Sequence, residues 1–219
     1  MTNTKDIRGT VEAELIFDPL VDATNITVKN IGGKVALNGW VPTYPQYLGA
    51  AAAAQRVAGV TNVHNHLEVV LPLGDDRDDA MLTTAANNAL TLNVTVPDAV
   101  EATASNGNLR LTGTVRYGFE RAAAEQAVAG LTGVRNIKDK IEIEIAYDAN
   151  PVDVTLNVQG ALDRYALIAD DSEVQVSTND NTVTLNGHVR TWPEHDAVVG
   201  AAWMAPGVFN VRDDLYITG

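Results

Sequence analysis

The 219 residues contain no cysteine, which excludes a disulfide framework and a thiolate metal site and leaves no thiol to carry a lipid. Aromatic residues are scarce, 12 in all. No stretch reaches the roughly 18 apolar residues of a membrane-spanning helix; the nearest is LGAAAAA at 48–54. Bases are outnumbered, 15 Lys and Arg against 28 Asp and Glu, and the net charge of −13 repels phosphate backbones, so nucleic acid is not an expected partner. The opening MTNTKDIRGTVEAEL lacks the basic start and apolar stretch of a secretory signal. As written it reads as cytoplasmic, with the periplasm the alternative if a signal peptide has been removed. G-x-S-x-G, Walker A, H-E-x-x-H and G-x-G-x-x-G after a strand are all missing. The expectation is therefore a protein that is not an enzyme and uses no cofactor and no metal.

What is present is repetition. ALNGWV (36–41), RLTGTV (110–115) and TLNGHV (184–189) place Gly39, Gly113 and Gly187 at intervals of 74 residues. Ile26, Val28, Val35 and Leu37 fall on Val100, Ala102, Leu109 and Leu111, then on Val174, Val176, Val183 and Leu185. Gly59, Gly133 and Gly207 also coincide, as do Asn62, Asn136 and Asn210. A unit of this length can hold its own small core, so the chain divides into three tandem domains, 1–73, 74–147 and 148–219. The linkers LPLGDDRDD and AYDANPVD are short and contain Pro72 and Pro151, which limits the arrangements open to them. The first unit is nearly neutral, with 5 bases and 6 acids, while residues 149–219 of the third hold 3 and 10. If any unit approaches an anionic surface, electrostatics favours the first.

Within a unit the periodicity changes in a fixed order. Ile7, Val11 and Leu15, with Leu82, Ala86, Leu90 and Val154, Val158, Leu162, have helical spacing. Asp18 and Pro19, or the Val96 to Asp98 stretch, break that helix. Two alternating segments follow, joined by hairpin turns at NIGG (30–33), SNGN (105–108) and TNDN (178–181). Next comes an alanine-rich second helix, closed by a glycine, whose small side chains allow close packing on a sheet. In IKDKIEIEI (137–145), Ile137, Ile141, Ile143 and Ile145 share the dry face of a last strand. Each unit is thus helix, strand, strand, helix, strand: an α+β sandwich with two helices on one face of a three-stranded mixed sheet.

This order, with DPLVDATNITV (18–28), KVALNGWV (34–41) and RVAGVTNVHNHLEV (56–69), resembles the BON domain, named for bacterial osmotically induced and nodulation proteins, in three copies. The resemblance implies a non-enzymatic module linked to envelope maintenance, osmotic stress, phospholipid contact and the binding of protein clients. Many such proteins are periplasmic with a signal peptide or a lipidated cysteine; this sequence shows neither.

The remaining candidates are few. His64 and His66 share one strand face, a possible start for zinc, but Lys138 with Lys140 and Arg212 with Asp214 take the matching places, so a solvated face is expected. DDRDD (75–79) lacks the glycine and final glutamate of a calcium loop and reads as a linker plus helix start. The recurrent Gly39, Gly113 and Gly187 mark a bulge or a close helix approach. Trp40, Tyr44, Tyr47, Tyr117, Phe119 and Trp192 gather where the second strand enters the second helix. Trp40 matches Thr114 and His188, and Tyr47 matches Arg121 and His195, so they are not repeated core residues. They are the expected contact points, either gluing one copy to the next or engaging a phospholipid or protein partner.

Overall fold

Three blocks of small and branched apolar side chains fix three separate cores. The computed structural model describes residues 6–144, 150–165, 174–179 and 182–218. In the first repeat, Asp6 caps α1 (Ile7–Phe17) by accepting the Gly9 N–H, and Val11 and Leu15 turn inward. A short 3-10 turn leads into β1 (Ile26–Ile31), which pairs antiparallel with β2 (Lys34–Val41). Thr43 caps α2 (Tyr44–Gln55), which crosses back to β3 (Asn62–Val69), parallel to β2. Val35 and Leu37 of β2 and Ala50, Ala53 and Ala54 of α2 are fully enclosed between sheet and helices. The methyl side chains let α2 lie close on the sheet, and each buried Val or Leu contributes about 1.5–3 kcal/mol.

The order recurs with α3 (Asp79–Leu92), β4 (Glu101–Ser105), β5 (Asn108–Val115), α4 (Gly118–Ala129) and β6 (Asn136–Ile143), and again with α5 (Pro151–Leu162), β7 (Val174–Asn179), β8 (Thr182–Val189), α6 (Trp192–Met204) and β9 (Asn210–Ile217). Each sheet is three-stranded, with its middle strand antiparallel to one neighbour and parallel to the other. Ile145, residues 146–149 of the second linker and the turn at 180–181 lie outside the described residues.

Several local expectations need correction. Gly39 and Gly113 have φ of +122° and +130° because the backbone carbonyls of Asn25 and Ala99 occupy the place of a Cβ, so the close approach is by the entry to the neighbouring strand and not by a helix. α2 ends at Gln55, before Gly59, which belongs to the following turn. α3 stops at Leu92, ahead of Pro97, because the Asn93 carboxamide accepts the Thr95 N–H and turns the chain. The dry face of β6 is not wholly apolar: Asp139 lies on it, between Ile137 and Ile141, with its side chain 8% exposed.

Asp139 belongs to a threefold pattern. Asn65, Asp139 and Asp213 occupy the same inward strand position, and each Oδ1 accepts the backbone N–H two residues on. The other end of each side chain reaches the second helix. Asn65 donates to the Tyr47 carbonyl at 2.8 Å, Asp139 pairs with Arg121, and Asp213 meets His195 Nε2 at 2.8 Å. One mechanical link between strand and helix is therefore built from three chemistries.

Candidate functional site

The three second helices share an N-terminal motif whose variation determines how the repeats join. It reads TYP at 43–45, YGF at 117–119 and TWP at 191–193. Thr43 and Thr191 cap their helices, accepting the N–H groups of Gln46 and Glu194, and proline follows within the first turn. In the second repeat Tyr117 stands where the others have threonine. There the Glu120 N–H donates to the Tyr117 carbonyl instead, and the Glu120 carboxylate accepts the Arg116 and Tyr117 N–H groups at 2.7 and 3.0 Å, as Glu194 accepts that of Arg190 in the third repeat.

The middle residue of each motif points at the next repeat. Tyr44 packs against the second core and stands close enough to Glu125 for the carboxylate to act on its hydroxyl. Gly118 is buried under Trp203 of α6. Trp192 donates its indole N–H to the Val60 carbonyl of the first repeat at 3.1 Å and lines, with residues 55–60, a cleft of about 420 Å³. The first repeat thus meets the second, the second the third, and the third the first. The units close into a head-to-tail ring through their second helices. At two junctions the incoming residue is aromatic; at the remaining one it is glycine, and the receiving helix supplies the aromatic.

Between α4 and α6 lies an open cleft of about 400 Å³. Gly118, Ala122 and Gly200 line it with small side chains, Phe119, Trp203 and Met204 with large apolar ones, and Arg121, Glu125 and Asp139 give it a polar end. Arg121 is held by Asp139 and lies over the Trp203 ring, 5.9 Å from its centroid. Glu125 is accessible at the cleft mouth yet crowded by protein: desolvation and then Asp139 raise its carboxyl pKa, opposed by Arg121. Desolvation, and then Glu125 and Tyr47, raise that of the Tyr44 phenol.

The predicted contact residues separate into three groups. Tyr44 and Trp192 are at junctions, and Tyr47 stacks on Tyr44 at 5.6 Å while packing on the first core. Tyr117 and Phe119 stack on each other at 5.4 Å and remain 38% and 45% exposed beside the cleft. Trp40 is apart from both groups, on the helix-free sheet face opposite Glu68. Sequence reasoning passed over Gly118, Glu125, Trp203, Met204 and Phe209, the last of which packs on the second core from the third repeat. The signal was available in register: glycine where the other copies have Tyr44 and Trp192, and tryptophan where they have Gln55 and Ala129.

The BON domain family matches this chain three times, over residues 3–70, 78–145 and 152–219. The chain is a BON-domain protein. Among curated relatives, this BON-domain protein is similar to osmotically-inducible protein Y of Escherichia coli (strain K12), with 27% identity over 145 residues, 62% of this chain and 70% of the relative. Two solved structures of CdsD, a structural protein of the type III secretion system of Chlamydia trachomatis, match with 15% identity. They cover 96% and 99% of this chain and 91% and 100% of theirs, at TM-scores of 0.26 and 0.27, superpositions too loose to bear on how this BON-domain protein is arranged or what it does. No helix among its described residues is long and apolar enough to cross a membrane.

Proposed function

We propose that this BON-domain protein is a non-catalytic, stress-associated binding module that engages phospholipid headgroups, envelope components or protein clients through exposed aromatic residues at its repeat junctions. One observation carries this reading. Tyr117 and Phe119 replace the capping threonine and the proline of the sister repeats, so they do nothing for the helix that those residues would not do, yet they stack in the open beside an apolar cleft. Exposed stacked rings at a cleft mouth supply contact area at low entropic cost. The relationship to an osmotically inducible protein supports the stress association.

Flotation with neutral and anionic vesicles tests the lipid form of the proposal, comparing the parent with Trp40→Ala and with Tyr117→Ala/Phe119→Ala. Binding by the parent that a variant loses supports it. Absence of binding to both vesicle types removes it.

A second reading, an assembly module that binds only proteins, is favoured by the use of Trp192 and Tyr44 inside the chain, which leaves fewer aromatic groups for a bilayer. Light scattering separates the two: partner-independent, concentration-dependent association lost on changing Tyr117 supports assembly, and a rigid monomer counts against it.

A further inference from the structure

Glu125 stands at an apolar cleft where the one nearby cation, Arg121, acts on it without pairing with it. Among the described residues its carboxylate makes no hydrogen bond and no ion pair. The nearby cation, Arg121, is committed to Asp139 and to the face of Trp203. The cleft therefore holds two carboxylates and one guanidinium, and the walls beside Glu125 are Phe119, Trp203 and Met204. A ligand that brings a cation to the accessible Glu125 carboxylate and an apolar group to the walls gains from both contacts. Methionine at the rim adapts to varied apolar shapes, and the small residues Gly118, Ala122 and Gly200 leave room for them.

The wider charge distribution selects the same partner. Among the described residues, Lys29, Lys34, Arg110, Lys138, Lys140 and Arg212 stand on the helix-free sheet faces with the acids Glu68, Glu101, Glu142, Glu144 and Asp214. At the cleft itself two carboxylates, Glu125 and Asp139, stand against one guanidinium, Arg121, in a chain of net charge −13. A basic segment is drawn there and an acidic one repelled.

We propose that the cleft between α4 and α6 receives a segment of a partner protein in which a large apolar side chain stands next to lysine or arginine, the apolar group lying among Phe119, Trp203 and Met204 and the cation against Glu125. The volume suits one or two large side chains and is at the small end of ligand clefts. This rests on the binding-module reading and names the site and the chemistry of the partner.

Fluorescence anisotropy with the full chain tests it, using labelled peptides built on Lys-Phe-Lys and on Glu-Phe-Glu. The parent is expected to bind the basic peptide and not the acidic one. A Cβ at Gly200 meets no atom within 4 Å, so Gly200→Leu starts in open space at the cleft wall and is expected to weaken binding about tenfold or more. Glu125→Gln is expected to weaken it about three- to tenfold and to reduce its salt dependence. Thermal melting verifies that each variant is folded, and either one alone decides if the other is not. Equal binding of the two peptides, or parental affinity in a folded variant, overturns the cleft assignment while the module reading stands. Binding of n-octylammonium with none of the basic peptide assigns the cleft to a small amphiphile and overturns the proposal. If neither peptide nor vesicles bind, the module reading falls with it.

Discussion

Trp203 fills the space in which a side chain on Gly118 would begin: an ideal Cβ there stands 2.5 Å from the indole Cε3. The second and third repeats meet through this substitution of empty space for bulk. Gly118→Ala is expected to force the two helices apart at a cost of about 1–3 kcal/mol, the range for overpacking a well-filled site. Thermal unfolding reports the loss, and limited proteolysis is expected to release the third repeat first. Paired with Trp203→Leu, the alanine should cost much less than when alone, a coupling that a double-mutant cycle measures.

At the junction between the third and first repeats the expected effect is smaller and polar. Trp192→Phe keeps most of the packing but removes the N–H that satisfies the Val60 carbonyl, a loss of about 1 kcal/mol. Trp192→Ala also removes the packing. Small-angle scattering should then show a radius of gyration above the ~17 Å expected for a compact chain of this length.

Arg121 neutralises an aspartate that the strand holds on its inward face, so Arg121→Ala is expected to destabilise the second repeat by about 1–3 kcal/mol by leaving Asp139 uncompensated. The first repeat shows how to do without the charges. Arg121→Tyr with Asp139→Asn copies the Tyr47 and Asn65 arrangement, and chemical denaturation should find most of the stability restored.

Much of this architecture was legible because the repeat is periodic: the three cores, the element order and the open hairpins follow from apolar spacing that each copy states again. The ring was not. Its contacts join non-equivalent places, so Gly118 and Trp203 carry no signal within one repeat, and only their misfit with the sister copies marks them. Asp139 was overlooked because a polar residue among isoleucines reads as an outward one until a partner helix is seen to claim it. The six aromatic residues stand out in the sequence, but sequence alone does not divide Tyr44 and Trp192, at the junctions, from Tyr117 and Phe119, beside the cleft, or from Trp40, on the helix-free sheet face.

The acidic linker provides a test by pH. Asp79 accepts the backbone N–H groups of Gly107 and Asn106 at 3.1 and 2.8 Å, tying the start of α3 to the hairpin, and these bonds lower its carboxyl pKa. A depressed folded value means that the contribution to stability is present above the unfolded pKa, about 3.9, and is lost as pH falls through the folded value. Asp79→Asn is therefore expected to be less stable than the parent at neutral pH, with the difference vanishing toward strong acid. A pH series of melting temperatures checks the sign.

The closed ring is tested most directly by contact between residues far apart in sequence. Because the chain has no cysteine, Pro193→Cys accepts a single nitroxide label beside Trp192, in the cleft shared with the first repeat. Paramagnetic broadening of the amide signals of Val57, Ala58 and Val60, with the matching Leu131, Thr132 and Val134 left sharp, is the result the ring predicts. Sharp signals from all six would contradict it.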